Sequence, residues 1–382
     1  DVDDAYLVQR VFEYKNKLNV KHLKSSWNLA VAKYPSLRLR FAWDNQLVQI
    51  VDKHAEIDFR VIDITKGDKQ DTKQNEQNEQ KIERIIAEDR AERFDLSRGN
   101  LLRITIIKQS DDLYTCVMNS HHAILDGWSN PRLFGFVHDC YLRLLNKSET
   151  KEHILANLKQ DNAYLEAQSY LQQNSESNDS YFQNVLAEVD DYIDLSYLQI
   201  DRSVRLHEIK QITEHAESEI TIESDLYQGL ITLSRNNAIS INSILQYVWH
   251  KLLSVYGNSK TTITGTTVSG RNLPIDNIEE SVGLYINTLP LVIEHDNATI
   301  LEQIKLVQNR INEINERSNV NLAKLQTGSR RLFDSLFVYE NYPVPRGNDN
   351  AEQLNVRFTA EIEKLDYPLS VIAYDSDQEI IF

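Results

Sequence analysis

Cysteine is nearly absent from this 382-residue sequence: only Cys116 and Cys140 occur. Two thiols without a C-x-x-C spacing supply neither a disulfide framework nor a structural zinc set. Both fall in apolar patterns, Cys116 in an extended run and Cys140 on a helical face, and are predicted to be buried. Long apolar runs are missing as well. No stretch of eighteen or more apolar residues exists, so no helix is predicted to span a bilayer. No signal-peptide-like start is present either. Positive charge is in deficit, with 41 Lys and Arg against 57 Asp and Glu, a net charge of −16. A chain this acidic lacks the basic patches that nucleic acid and anionic membranes attract, so neither is expected as a partner. The expected compartment is the cytoplasm. There is no G-x-S-x-G, and Ser269 in "VSGR" has no nucleophile elbow, which counts against a serine-hydrolase triad.

What is present is enough apolar material for a large core, 41% of residues, in a chain longer than one core comfortably serves. Leu23, Trp27, Ala30, Val31 and Tyr34 recur at three- and four-residue steps, predicting a helix that ends before Pro35. "LRLRFAWDNQLVQIVD" reads as a hairpin turning at Asp44-Asn45. Residues 66–80 read as a polar surface loop, with an amphipathic helix starting at Ile82, Ile85 and Ile86. "LLRITIIKQ" and "LYTCVMNSHH" read as strands, followed by a helix capped by Asn130 with Pro131 in its first turn. A similar rhythm fills the second half. "INSILQYVWHKLLSVYG" is helical, "TTITGTTVSGR" and "VGLYINTLPLVIE" are extended, and Ile304, Val307, Ile311 and Ile314 line one side of another helix. "LFDSLFVYENYP" and "YPLSVIAYD" are further strands. The pattern predicts a mixed α/β fold in two lobes, 1–160 and 161–382.

The stretch "SHHAILDGWSNP" (Ser120–Pro131) concentrates the chemistry. Successive side chains of a strand point to opposite faces, so His121 and His122 cannot both enter one site. A shared metal is therefore disfavoured, since Asp126 is the one further ligand type nearby. The plain alternative, two histidines satisfied in packing, is weakened by Asp126-Gly127, which bends the chain sharply into a helix start. A neutral imidazole held there can take a proton from a nucleophile. Asp126 can orient the loop by pairing with an arginine.

These residues resemble the HHxxxDG signature of nonribosomal peptide synthetase condensation domains, down to the trailing Trp-Ser. Other segments resemble the same family in the same order. "YPSLRLRF" carries Tyr34 where His is usual, and "FDLSRGNLLRITI" carries Asn100 where Pro is common. "GTTVSGR", "SVGLYINTLPL", "LFDSLFVYENYP" and "DYPLSV" match later motifs. The family's first motif, of the S-x-A-Q-x-R type, is absent, and the far end lacks closing helices. The chain is therefore expected to be a piece of something longer.

The resemblance implies two chloramphenicol-acetyltransferase-like lobes forming a V with a central tunnel. It implies amide formation, in which the amine of an acceptor aminoacyl thioester attacks a donor acyl thioester. Both substrates would arrive on the phosphopantetheine arms of donor and acceptor carrier proteins, with an adenylation domain as neighbour and no cofactor bound directly. The catalytic role would fall to His122. His121, Asp126, Gly127 and Arg38 would support it, with Arg38 as the partner of Asp126. Ser269 and Asn287 would lie near the tunnel, although a buried hydroxyl or amide bonded to backbone explains each equally well. Trp128 reads as packing.

Four other readings keep some of these features. An epimerization domain usually carries Ser-Trp after Asp-Gly-x, where this chain has Trp-Ser. A terminal cyclizing or ester-forming domain, or a free-standing acyltransferase using coenzyme A, would share the fold. A non-catalytic docking module for carriers would have no need of the His-His, Asp and Arg set.

Overall fold

The computed structural model describes residues 6–43, 48–65, 73–187, 189, 195–196, 205–209, 212, 216–318, 320, 322–325, 331–340, 353–376 and 378–382. In chain order the strands are β1 (Leu7–Tyr14), β2 (Leu39–Ala42), β3 (Val48–Val51), β4 (Asp58–Asp63), β5 (Leu102–Lys108), β6 (Tyr114–His121), β7 (Thr221–Ile222), β8 (Thr261–Val268), β9 (Asn287–Glu294), β10 (Ser335–Glu340), β11 (Val356–Ile362), β12 (Leu369–Asp375) and β13 (Ile380–Ile381). The helices are α1 (Val20–Lys33), α2 (Lys73–Ala91), α3 (Ser129–Leu145), α4 (Lys151–Ala156), α5 (Ala163–Gln173), α6 (Ser175–Ala187), α7 (Ser224–Asn237), α8 (Ile241–Gly257), α9 (Ile300–Glu316) and α10 (Leu322–Leu325).

The chain folds as two compact units. The first comprises Asp1–Ala167, Ile275–Tyr285 and Tyr342–Lys364. Its sheet has the order β11-β1-β6-β5-β4. β5 and β6 are buried along almost their whole length, because helices cover both faces. Odd-numbered residues of β5 and β6 face α2: Ile107 and Val117 pack with Ile85, while Arg103, Thr105 and Asn119 all bond Asp89. On the opposite face Phe12 packs on Phe134, Phe134 on Trp27, and the Tyr14 hydroxyl pairs with His138 at 2.9 Å. That face belongs to α1 and α3.

The second unit comprises Gln168–Pro274, Ile286–Asn341 and Leu365–Phe382, with the sheet order β7-β13-β12-β10-β8-β9. Its core joins Ile244 and Leu245 of α8 and Ile304, Val307, Ile311 and Ile314 of α9 to Leu289, Leu291 and Ile293 of β9.

Most sequence-based elements stand. α1 carries its apolar stripe and stops at Lys33, ahead of Pro35. β2 and β3 pair antiparallel as the hairpin required, and its turn at Asp44-Asn45 lies outside the described residues. Cys116 and Cys140 are buried, which pushes both thiols up to about 12. Among the described residues no helix is long and apolar enough to cross a membrane.

Three expectations are corrected. The polar stretch expected to be a loop is helical from Lys73, part of α2. Glu, Gln and Lys are good helix formers, so a polar run continues a helix whose apolar stripe begins only at Ile82. Residues 66–72 of that loop lie outside the described residues. β9 starts at Asn287, five residues later than the run "VGLYINTLPLVIE" suggested, because Val282, Gly283 and Tyr285 are bonded elsewhere. α3 begins at Ser129, and its first N–H is capped by the Asp126 carboxylate rather than by Asn130. Asn100 stands at φ 51°, a left-handed conformation closed to the proline common there in the family.

Candidate active site

β6 delivers the histidine pair to the end of the first unit's sheet. His121 is its last residue, opposite Leu7, and His122 begins the turn with its N–H donating to the Tyr6 carbonyl at 2.8 Å. The two rings meet different partners, Tyr6 for His121 and Glu363 for His122. His121 stays neutral: burial, then the neighbouring His122, push it down to about 4. Its Nδ1 accepts the Ala123 N–H at 3.1 Å and its ring stacks near Tyr6.

The His122 side chain is 20% exposed, and its Nε2 lies 3.3 Å from Oε1 of Glu363. Burial pulls its pKa down, but the bond to Glu363, that carboxylate's charge, a bond to its own backbone and the nearby Asp126 outweigh it, so the pKa is raised. Glu363 responds in the opposite sense. Burial pushes it up, while His122 and Arg10 pull it further down, so it stays ionised.

Glu363 comes from the residue just past β11, the strand paired with β1 on the far side from β6. In that pairing Glu361 sits opposite Arg10, and the two form an ion pair. Arg10 Nη2 also lies 4.0 Å from Glu363. With its amide oxygen turned toward the guanidinium, Asn130 accepts from both Arg10 terminal nitrogens at 3.1 and 3.2 Å. His122 therefore sits in a ring of charge that holds Arg10, Glu361 and Glu363.

Asp126 is 2% exposed and works as a staple. One carboxylate oxygen takes the Ser129 N–H at 2.9 Å and the Ser129 hydroxyl at 2.7 Å. The other takes the Tyr285 N–H at 2.9 Å. Ser129 Oγ lies 2.8 Å from the Gly283 carbonyl and 3.0 Å from the Gly283 N–H. Further down the same segment, Asp161 accepts from Val282 N and from the Ser281 hydroxyl, and Ser36 donates to the Val282 carbonyl. Residues 281–285 are thus laced by side chains to the loop that follows the histidines. Gly283 is required there: a Cβ would meet Tyr164 Cδ2 at 2.4 Å.

Arg38 does not join this staple. Its guanidinium donates to the Asp52 and Lys53 carbonyls at 3.2 and 3.0 Å and to Gln160 at 3.2 Å. The pairing of Arg38 with Asp126 is therefore corrected; Arg38 ties α1's exit to the β3 end. Gly127 accepts from Asn130 N at 3.3 Å and is not among the glycines at positive φ, which among the described residues are Gly99 and Gly270. Trp128 packs under Arg132 at 6.0 Å. Ser269 and Asn287 belong to the second unit. Ser269 Oγ accepts from Arg271 N at 3.4 Å, and Asn287 donates to the Ser318 and Val320 carbonyls at 2.8 and 2.9 Å.

Sequence reasoning missed Arg10, Glu361, Glu363, Ser129 and Gly283. A signal was there for the acids: in "VRFTAEIE" the two glutamates are two residues apart and so share one strand face. Nothing local says that this strand pairs beside β1, more than 340 positions away in sequence by the Arg10–Glu361 register.

The family profile described as "Condensation domain" matches residues 1–382. N-(5-amino-5-carboxypentanoyl)-L-cysteinyl-D-valine synthase of Penicillium rubens is 38% identical over 97% of this chain, and its counterpart from Amycolatopsis lactamdurans is 36% identical over 99%. The chain spans about 10% of the length of each of these relatives. The first condensation domain of the calcium-dependent antibiotic synthetase, solved with a substrate analogue, shares the fold at a TM-score of 0.66 and 14% identity, over 99% of this chain and 86% of that one. The chain belongs to the condensation-domain family of nonribosomal peptide synthetases. Domains of this family catalyse amide-bond formation, an acyltransferase-type reaction.

Proposed function

We propose that His122 is the catalytic base of this condensation domain, acting on an acceptor amine as it attacks a donor thioester, with both substrates carried on phosphopantetheine arms. The observation that carries this reading is the partly exposed imidazole just past β6, 20% exposed and with its pKa raised. An α-amine has a pKa of about 8, so only about a tenth is free base at pH 7. An imidazole whose pKa is raised by its surroundings can hold or remove the excess proton as the amine nitrogen bonds the thioester carbon. The carbon–sulfur bond then breaks, and the proton passes to the leaving sulfur, giving amide and free thiol. Such help is worth about 10²- to 10⁴-fold, while holding two tethered reactants together contributes about 7–11 kcal/mol. Positioning by the carriers is the larger share.

In this reading donor and acceptor carrier proteins are the partners, an adenylation domain is the neighbour, and the reaction runs in the cytoplasm. His121, Asp126 and Gly127 shape the turn. Ser269 and Asn287 are proposed as substrate-side residues of the second unit, and Arg38 as a scaffold residue. The relatives' multidomain character supports the partners.

The test supplies a donor acyl group and an acceptor aminoacyl group, each loaded on its own carrier, and follows product by intact-protein mass. Transfer of the acyl group to the acceptor carrier is expected. Product from acyl-coenzyme A and free amine, with none from loaded carriers, would instead identify a free-standing acyltransferase. Carrier binding without product would leave only a docking module.

A further inference from the structure

A strand 240 residues beyond His122 brings a carboxylate to its reactive nitrogen. Glu361 stands opposite Arg10 in the pairing of β11 with β1, and Glu363, one residue past β11, reaches the His122 ring. The contact is specific in atoms: Glu363 Oε1 to His122 Nε2, 3.3 Å. The carboxylate is held from behind, with Arg10 4.0 Å away and itself anchored by Glu361 and Asn130. Arg10 is only 9% exposed, so the anchor is built into the packing.

We propose that Glu363 is a positioning residue of the condensation reaction, fixing the His122 ring and stabilising the imidazolium that forms when the amine's proton moves to Nε2. This rests on the base role of His122 stated above. The ring already makes a bond to its own backbone, so the charged ring has a partner for each nitrogen, the backbone for one and Glu363 for the other. A neutral ring with its lone pair on Nε2 would face a carboxylate instead. The carboxylate therefore favours the proton-bearing form, which is the form created during attack. The His122 side chain keeps 20% of its surface exposed beside this contact. The proton count closes: the ammonium nitrogen loses two protons on becoming an amide, one ending on the leaving sulfur and one in solvent, and Glu363 itself exchanges none.

The other charged and titratable groups around the ring are Glu361 from β11, Arg10 from β1, Asp126 from the following loop and His121 from β6. None of them changes in the variants below, so a shift in titration reads Glu363 alone.

The experiment compares Glu363→Gln and Glu363→Asp with the parent in the two-carrier assay across pH, with His122→Ala alongside. In Glu363→Gln kcat is expected to fall by about tenfold, the KM for loaded acceptor carrier to stay within twofold, and the acidic limb of kcat to move to lower pH. Glu363→Asp should recover part of both. Histidine-labelled protein titrated by NMR reads the same quantity without substrate, the His122 signal being assigned by its absence in His122→Ala. That ring should titrate at lower pH in Glu363→Gln, and in Glu363→Asp as well if the former does not fold. An unmoved His122 titration overturns the role of Glu363. Parental turnover by His122→Ala overturns the base reading instead, so the two failures are told apart.

Discussion

At the scale of single residues, two neighbouring histidines have opposite electrostatic fates because their rings meet different partners. Burial, reinforced by His122, drives His121 down to about 4 and keeps it a neutral acceptor for the Ala123 N–H. His122 meets burial too, but a carboxylate reverses the outcome. Asp126 staples the loop after the histidines to Ser129 and Tyr285. Replacing it with alanine leaves Ser129 N–H, the Ser129 hydroxyl and Tyr285 N–H without this acceptor in a buried site. Each buried donor so stranded costs about 1–3 kcal/mol. Asp126→Ala is therefore expected to lower the thermal midpoint together with the rate. A variant that melted like the parent and lost only chemistry would show that Asp126 acts on substrate directly.

At the scale of elements, the segment 281–285 matters more than its length suggests. The sequence reads it as the start of a strand, since its residues are apolar and run straight into β9. Its N–H and carbonyl groups are instead taken by side chains from α1's exit, the post-histidine loop and Asp161. Propensity has no view of such partners, which is why the strand start was misplaced by five residues. The hinge of this lacing is Gly283, pressed on a Tyr164 ring that cannot retreat. Tyr164 is 1% exposed, its hydroxyl donates to Gln49 at 3.0 Å, and its ring edge meets Tyr285. Gly283→Ala is expected to cost about 1–3 kcal/mol as overpacking, read as a lower denaturant midpoint. A parental midpoint would mean that the loop shifts freely. The periodic elements fared better. α1, α8, α9 and β6 were legible because each repeats its apolar residues at one spacing over two or more turns or pleats. α2 was half legible, its polar first half giving no stripe to read.

At the scale of the whole chain, the family was legible from ordered motifs, while the charge ring around His122 was not. The motifs are local, so their residues can be read in place. Arg10, Glu361 and Glu363 become a set only once β11 pairs with β1, a contact that joins opposite ends of the sequence. Arg38 erred in the other sense. Its motif match suggested a partner in Asp126, but the chain places three closer acceptors around the guanidinium. A short motif names a residue; the register and the loop lacing decide what it touches. The measurement that tests the account most directly is a single-turnover transfer between loaded carriers by His122→Ala and parent, with carrier affinity measured in parallel. The account predicts a rate lower by about 10²- to 10⁴-fold with carrier binding unchanged; transfer at the parental rate would contradict it.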